Sequence, residues 1–261
     1  MTPRPREVPA FQATVLRPRA TRYCVAVPVL DEGPRIARQL ARMAPLAGLA
    51  DIVIADGGSR DGSVAPEKVA PHGVRAVLVK TGPGRLSAQM RMAMAWALDE
   101  GYEGIVFIDG NDKDDPSAIP LFLAALAEGY DHVQGSRYVP GGVEENTPPS
   151  RKWGVRLLHA PAISLSAGHR YTDTTNGFRA YSRRLLLDDR VAPFRDVFSR
   201  YELHYYLAIR AARLGYRIRE VPVTRCYPAG EKTPTKISPW RGNLLVLRTL
   251  AAACLHRFDP E

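Results

Sequence analysis

The feature that most restricts the fold is an alternation in the first half of the chain. Short apolar runs recur with helix-patterned segments between them: YCVAVPVL (23–30), ADIVIAD (50–56), VRAVLVK (74–80), GIVFID (104–109) and the more polar YDHVQGSR (130–137). Runs this brief read as strands, and the most apolar of them as strands covered on both faces. Between them, PRIARQLARMAPL puts Ile36, Leu40 and Met43 on one helical face, RLSAQMRMAMAWALDEG is a helix stopped by Gly101, and 116–128 is a further helix. Strands alternating with helices are satisfied by right-handed crossovers. The expectation is therefore an α/β fold with a central, mostly parallel sheet flanked by helices.

After Arg137 the texture changes. A Gly/Pro-rich loop, YVPGGVEENTPPS, leads to a helix over 151–167 and then to the loop YTDTTNGFRAYS. A helix over 199–214, the strand YRIREVPV, the loop RCYPAGEKTPTKIS and a last helix over 239–258 complete the chain. No repeat or low-complexity linker divides residues 23–257, so 23–261 reads as one domain. The first 22 residues carry Arg4, Arg6, Arg17, Arg19 and Arg22 against Glu7, with prolines and no apolar core, and read as a mobile basic arm. No apolar run is long enough to cross a membrane. The three cysteines, Cys24, Cys226 and Cys254, have neither metal nor disulfide spacing, which suits a cytoplasmic protein.

The formal net charge is +9, which calls for an anionic partner: nucleic acid, a phosphorylated small molecule or an anionic membrane surface. The carboxylates narrow the choice. In an open parallel sheet, ligands bind beyond the carboxyl ends of the strands. Three strands end there in acids, as VPVLDE, ADGGSRDGS and FIDGNDKDDP. Nucleic-acid binding accounts for the net charge but not for these acids, and no nucleic-acid motif is present.

Taken in order, VPVLDE, IADGGSRDGS, FIDGNDKDDP, GSRYVPGG, DTTNGFRAYS and EVPV resemble an inverting family-two glycosyltransferase of the GT-A type. The likeness runs over about 23–238 and is strongest to the polyprenyl-phosphate (dolichol-phosphate) mannosyl- or glucosyltransferase branch. It implies a nucleotide-sugar half at 23–137 and an acceptor half at 138–261. The implied donor is a UDP- or GDP-sugar. The implied acceptor is a polyprenyl phosphate or a saccharide or natural-product hydroxyl, with peripheral membrane contact in the first case.

The resemblance also assigns roles. Pro28, Leu30 and Glu32 would line the base or ribose, and Asp56 would accept a base N–H, with Gly57 where the family often has a second acid. Arg85 would lie beside the diphosphate with Asp109 and Gly110. Asp109 and Asn111 would hold Mg²⁺ or Mn²⁺, Asn111 standing where the family has a second aspartate. Lys113, Arg137, Arg151, Arg156, Arg179, Arg225 and Lys236 would face the phosphates of donor or acceptor, the last two from a mobile loop. Apart from the resemblance, residue type alone suits Asp114 and Asp115 to the next helix N-terminus and Asp61 to capping a helix. A phosphate acceptor is already ionised. A hydroxyl acceptor needs a base, for which Asp173 and Glu202 are the candidates.

Two other readings fit less of the sequence. A sugar-phosphate nucleotidyltransferase needs a Gly-rich basic signature soon after the first strand, and VPVLDEGPR lacks it. A non-catalytic nucleotide-sugar or glycan binder would account for Asn111 and Gly57.

Overall fold

The computed structural model describes residues 5–228 and 241–260. Its core is an eight-stranded sheet ordered β1-β4-β3-β2-β5-β8-β6-β9. The strands are β1 (Phe11–Val15), β2 (Cys24–Val29), β3 (Asp51–Asp56), β4 (Val74–Lys80), β5 (Gly104–Phe107), β6 (His132–Ser136), β8 (Arg179–Ser182) and β9 (Ile218–Pro222). A separate parallel pair joins β7 (Val143–Glu145) to β10 (Thr224–Cys226). Strands β4, β3, β2 and β5 run parallel, as the apolar runs imply, and β6 runs parallel to β9.

Side chains alternate across the sheet as the two-residue period requires. Val25, Val27, Ile52, Ile54 and Val106 meet α1 (Pro34–Met43) and α4 (Ile119–Ala127) on one face. On the other, the small Cys24, Ala26, Ala55 and Ala76 let α3 (Leu86–Asp99) approach closely. That helix is buried from Ser87 to Leu98, because α8 (Glu202–Arg213) covers its outer side. A helix enclosed on both sides needs no polar stripe, which explains the row of Met and Ala in RMAMAWAL.

The second half of the chain adds a helical arm of α5 (Pro149–Gly154), a π-helical turn over Val155–His159 and α6 (Ala160–Ala167). The last helix, α9 (Arg241–Cys254), packs on α6 and α8 around Ile163, Ala208 and Leu250. Two short helices, α2 (Pro66–Val69) and α7 (Arg183–Leu187), complete the chain. Among the described residues, no helix is long and apolar enough to cross a membrane.

Two expectations are corrected. The basic segment before Tyr23 is not a mobile arm from residue 5 onward. Its FQATV forms β1, antiparallel to β4 with Phe11 opposite Lys80. Its arginines act as fasteners: Arg6 pairs with Asp99 at 2.6 Å, and Arg19 lies over the Tyr102 ring. The loop containing FRAYS is in part a strand, β8, antiparallel to both β5 and β6. It is only four residues long and carries Arg179 and Ser182, so its composition hides it.

Candidate active site

A crevice of about 1310 Å³ opens where β2, β3, β4 and β5 end, walled across by α5, the π turn and α9. At one end, Pro28, Leu30, Glu32, Gly57, Lys80, Arg85 and Gln89 line it. Two loops are laced together there. Asp31, at φ 47°, accepts the Arg60 N–H at 2.7 Å and donates its own N–H to Ser59 Oγ at 2.9 Å. Asp61 accepts from Gly33 N at 2.8 Å and Ser63 N at 3.0 Å, so it fastens the loops and does not cap a helix. Glu32 is held by Arg35.

Asp56 does not line the crevice. It is 2% exposed, and its carboxylate accepts the Ser59 N–H at 3.0 Å and the Ser59 hydroxyl at 2.6 Å. A Ser three residues on closes this Asx-type turn, and the turn takes the carboxylate the sequence reserves for a base.

The centre of the crevice is a cluster of charges. Asp109 lies against the bare backbone of Gly177, where a Cβ would come within 2.6 Å of Oδ1. Asn111 Nδ2 and Arg225 Nη2 each reach Asp109 Oδ2 at 3.4 Å. Burial pushes the Asp109 pKa up, but Arg225 and Lys113 outweigh it and hold the carboxyl below its ordinary value. Arg225 also pairs with the buried Asp114, whose other oxygen has no hydrogen-bond partner among the described residues. Burial raises Asp114 above the usual carboxylate range. Lys113, Arg151 and Arg225 all lie within 6 Å of the Tyr227 ring, at 5.3, 5.7 and 5.8 Å. Burial, reinforced by Arg225, pulls Lys113 down to about 8.

Arg137 reaches the crevice from the turn after β6. Asp173 fixes it through a two-point pair, Nε–Oδ2 2.7 Å and Nη2–Oδ1 3.0 Å. Both groups are buried, and Asp173 is held below its ordinary pKa because Arg137 outweighs its desolvation. Beyond Arg137 and Arg151 the lining turns apolar, with Val155, Leu158, Val246 and Leu247 beside His159 and Tyr205.

Pro28, Leu30, Glu32, Arg85, Asp109, Gly110, Asn111, Lys113, Arg137, Arg151 and Arg225 thus share one crevice. The other expected residues are placed differently. Arg179 is fully buried below it, its guanidinium spent on the carbonyls of Thr174, Asn176 and His204. Arg156 lies outside, over the Tyr138 ring. Neither candidate base lines the crevice: Asp173 orients Arg137, and Glu202 accepts the Arg200 N–H at 2.6 Å beside the start of its own helix. Arg225 is on strand β10, not a loop, and Asp114 serves Arg225, not a helix; Asp115 alone caps, accepting from Ser117 N. Lys236 lies outside the described residues.

Sequence reasoning missed Gln89, Lys80, His204 and Tyr227. His204 also faces the crevice. Burial, with Arg179, pulls it down to about 3, so it is neutral. Its position two residues after Glu202 was the available signal. Gln89 and Tyr227 sit in helical and strand-end patterns that read as packing.

Comparison with known proteins agrees with this geometry. The profile of the family described as Glycosyl transferase family 2 matches residues 24–189. The chain is 32% identical over 209 residues to the undecaprenyl-phosphate mannosyltransferase of Micrococcus luteus, covering 78% of this chain and 83% of that one. It is 29% identical to the polyprenol monophosphomannose synthase of Mycolicibacterium smegmatis, covering 78% and 77%. Among solved structures, glucosyl-3-phosphoglycerate synthase from Mycobacterium tuberculosis, in complex with Mn²⁺, UDP and phosphoglyceric acid, superposes with a TM-score of 0.64. The identity there is 19%, covering 92% of this chain and 79% of that one, and the likeness is one of GT-A fold. A crevice at the sheet's carboxyl edge, the ordered strand-end motifs and the matched profile agree: this chain belongs to glycosyltransferase family 2 and transfers a sugar from a nucleotide sugar.

Proposed function

We propose that the chain transfers a hexose from a UDP- or GDP-sugar to a polyprenyl phosphate, with inversion at the anomeric carbon. The observation that carries the acceptor is the far end of the crevice. There Arg151 and Arg137 give way to the apolar side chains of Val155, Leu158, Val246 and Leu247. Cations followed by an apolar wall suit a phosphate on a hydrocarbon chain. The exposed side chains of α5, the π turn, α6 and α9 support the same reading. Leu157 is 70% and Leu165 87% exposed, with Trp153, Leu244 and Leu247 also exposed. Apolar side chains beside Arg151, Lys152 and Arg156 suit peripheral contact with an anionic lipid surface.

The carboxylates favour a phosphate over a hydroxyl. Among the described residues, those lining the crevice are Glu32 and Asp109 only, the first paired with Arg35 and the second at the centre. A phosphate monoester is ionised at neutral pH and attacks without a base. One of its oxygens bonds to the anomeric carbon as the bond to the diphosphate oxygen breaks on the opposite face. Lys113, Arg137 and Arg225, which line the crevice, would receive the charge that accumulates on the leaving diphosphate.

The donor set at the centre fits a divalent ion. Asp109 is ionised, Asn111 offers an amide oxygen, and neutral His204 offers a ring nitrogen. Among the described residues no three His, Cys, Asp or Glu side chains converge on one point, so substrate phosphates would complete the coordination. Mg²⁺ or Mn²⁺ bound there would supply charge neutralisation for the departing diphosphate.

The test is direct. Purified protein is incubated with UDP- and GDP-hexoses, Mn²⁺ and either undecaprenyl phosphate in detergent or soluble hydroxyl acceptors. Lipid-linked sugar and free nucleoside diphosphate are expected in equal amounts. Transfer to soluble hydroxyls, with none to the lipid phosphate, would overturn the acceptor assignment.

A further inference from the structure

Gln89 has an arrangement that packing does not require. It sits in the second turn of α3, under the ends of β2 and β3, and is 5% exposed. Its Nε2 donates to Val29 O at 2.9 Å and to Ala55 O at 3.0 Å. Both partners are carbonyl oxygens, so the amide can face them only with its NH₂ group, and its orientation is fixed. Both amide protons are thereby spent. Oε1 is left as a pure acceptor, and no donor among the described residues reaches it.

Gly57 makes room for this amide. A Cβ at residue 57 would stand 2.8 Å from Nε2 and 3.4 Å from Oε1. The glycine is required by space and not by a left-handed backbone, since its φ is not positive. The same two residues line the crevice with Pro28, Leu30 and Lys80. The acid that would otherwise serve here, Asp56, is turned away into the Ser59 turn.

We infer that Gln89 reads the nucleobase of the donor: its Oε1 accepts the imide N–H of uracil (N3–H) or guanine (N1–H). This deepens the donor assignment above and rests on it. A nine-tenths buried acceptor that can only accept leaves an incoming base two choices, to supply a hydrogen or to leave the oxygen desolvated and unpaired. Lys80 lines the same end of the crevice as a cationic donor for base carbonyl oxygens, its ammonium anchored on Gly82 O at 2.7 Å. A neutral acceptor in place of a carboxylate also keeps negative charge away from the diphosphate.

The experiment measures the affinity of the full-length protein for UDP, GDP, 3-methyl-UDP and 1-methyl-GDP by calorimetry with Mn²⁺ present. The methyl group removes the hydrogen that Oε1 would accept. For whichever parent nucleotide binds, methylation is expected to weaken binding roughly ten-fold or more. Methylation alone could act through bulk, so the Gln89→Met protein is measured as well. There the parent and its methylated form should bind within about two-fold of each other, because the unpaired acceptor is gone. Gly57→Ser, which displaces the amide without removing it, should lower the preference for the parent. Equal wild-type affinity for parent and methylated nucleotide overturns the Gln89 assignment alone, as does a penalty that persists undiminished in Gln89→Met. Failure of the wild type to bind either UDP or GDP overturns the donor assignment and this inference together.

Discussion

The two ends of the crevice are built on opposite principles. At the end assigned above to the base, the shape is set by internal hydrogen bonds: the neutral Gln89 amide donates to two backbone carbonyls, and Asp56 is spent within its own turn. At the centre, the buried cations Lys113, Arg137 and Arg225 lie among Asp109, Asp114 and Asp173. That end is tied by bonds it makes to itself, which suits recognition of a base edge. The charged centre is held together by compensation. It can trade partners when a diphosphate and its cation enter, because the Asp109 contacts are long, at 3.4 Å.

The comparison can be broken most severely at Asp173. Asp173→Ala leaves the buried Arg137 cation unpaired, so a loss of about 3–5 kcal/mol is expected, read as a lower denaturation midpoint. An unchanged midpoint would mean that the centre does not depend on charge compensation. Asp109→Ala is expected to keep the fold but slow release of nucleoside diphosphate roughly 10²–10³-fold. Affinity for the free nucleoside should hardly move, since the base end is untouched. A parallel collapse of nucleoside affinity would show the two ends to be one unit.

Gly57→Ala sharpens the contrast from the neutral side. The added Cβ meets Gln89 at 2.8 Å, and overpacking of this kind costs about 1–3 kcal/mol. The control is Gly154→Ala, where no atom lies within 4 Å and no loss is expected. Equal stability for the two variants would mean that the base end yields readily. The smallest effect is in acid. Asp173 is held below its ordinary value, so the stability it contributes is complete above about pH 4 and disappears as pH falls through the lower folded value. In urea titrations below pH 4, wild type should lose stability more steeply than Asp173→Asn.

Much of the first half of the chain was legible because parallel strands buried on both faces announce themselves as apolar runs. VRAVLVK is β4 residue for residue, and Asp109, Asn111 and Lys113 fall at the strand end where a ligand was expected. What the sequence concealed was side-chain direction. Asp56 and Asp173 are acids at plausible positions, yet Asp56 is turned toward Ser59 three residues on and Asp173 toward Arg137, 36 residues earlier in the sequence. Arg179 reads as a phosphate ligand until β8 is seen to bury it. Gln89 and His204 are hidden for the converse reason, being polar residues on helices that otherwise read as packing.

The strand before Tyr23 has a practical consequence. A shortened protein designed from sequence alone would begin near Tyr23 and discard β1 as a tail. That would strip the outer edge of β4, leaving the unpaired amides and carbonyls of Val74–Lys80 open to another chain. Such a truncation is expected to express as aggregate, while one that begins ahead of Pro9, keeping Phe11–Val15 in place, stays monodisperse by gel filtration.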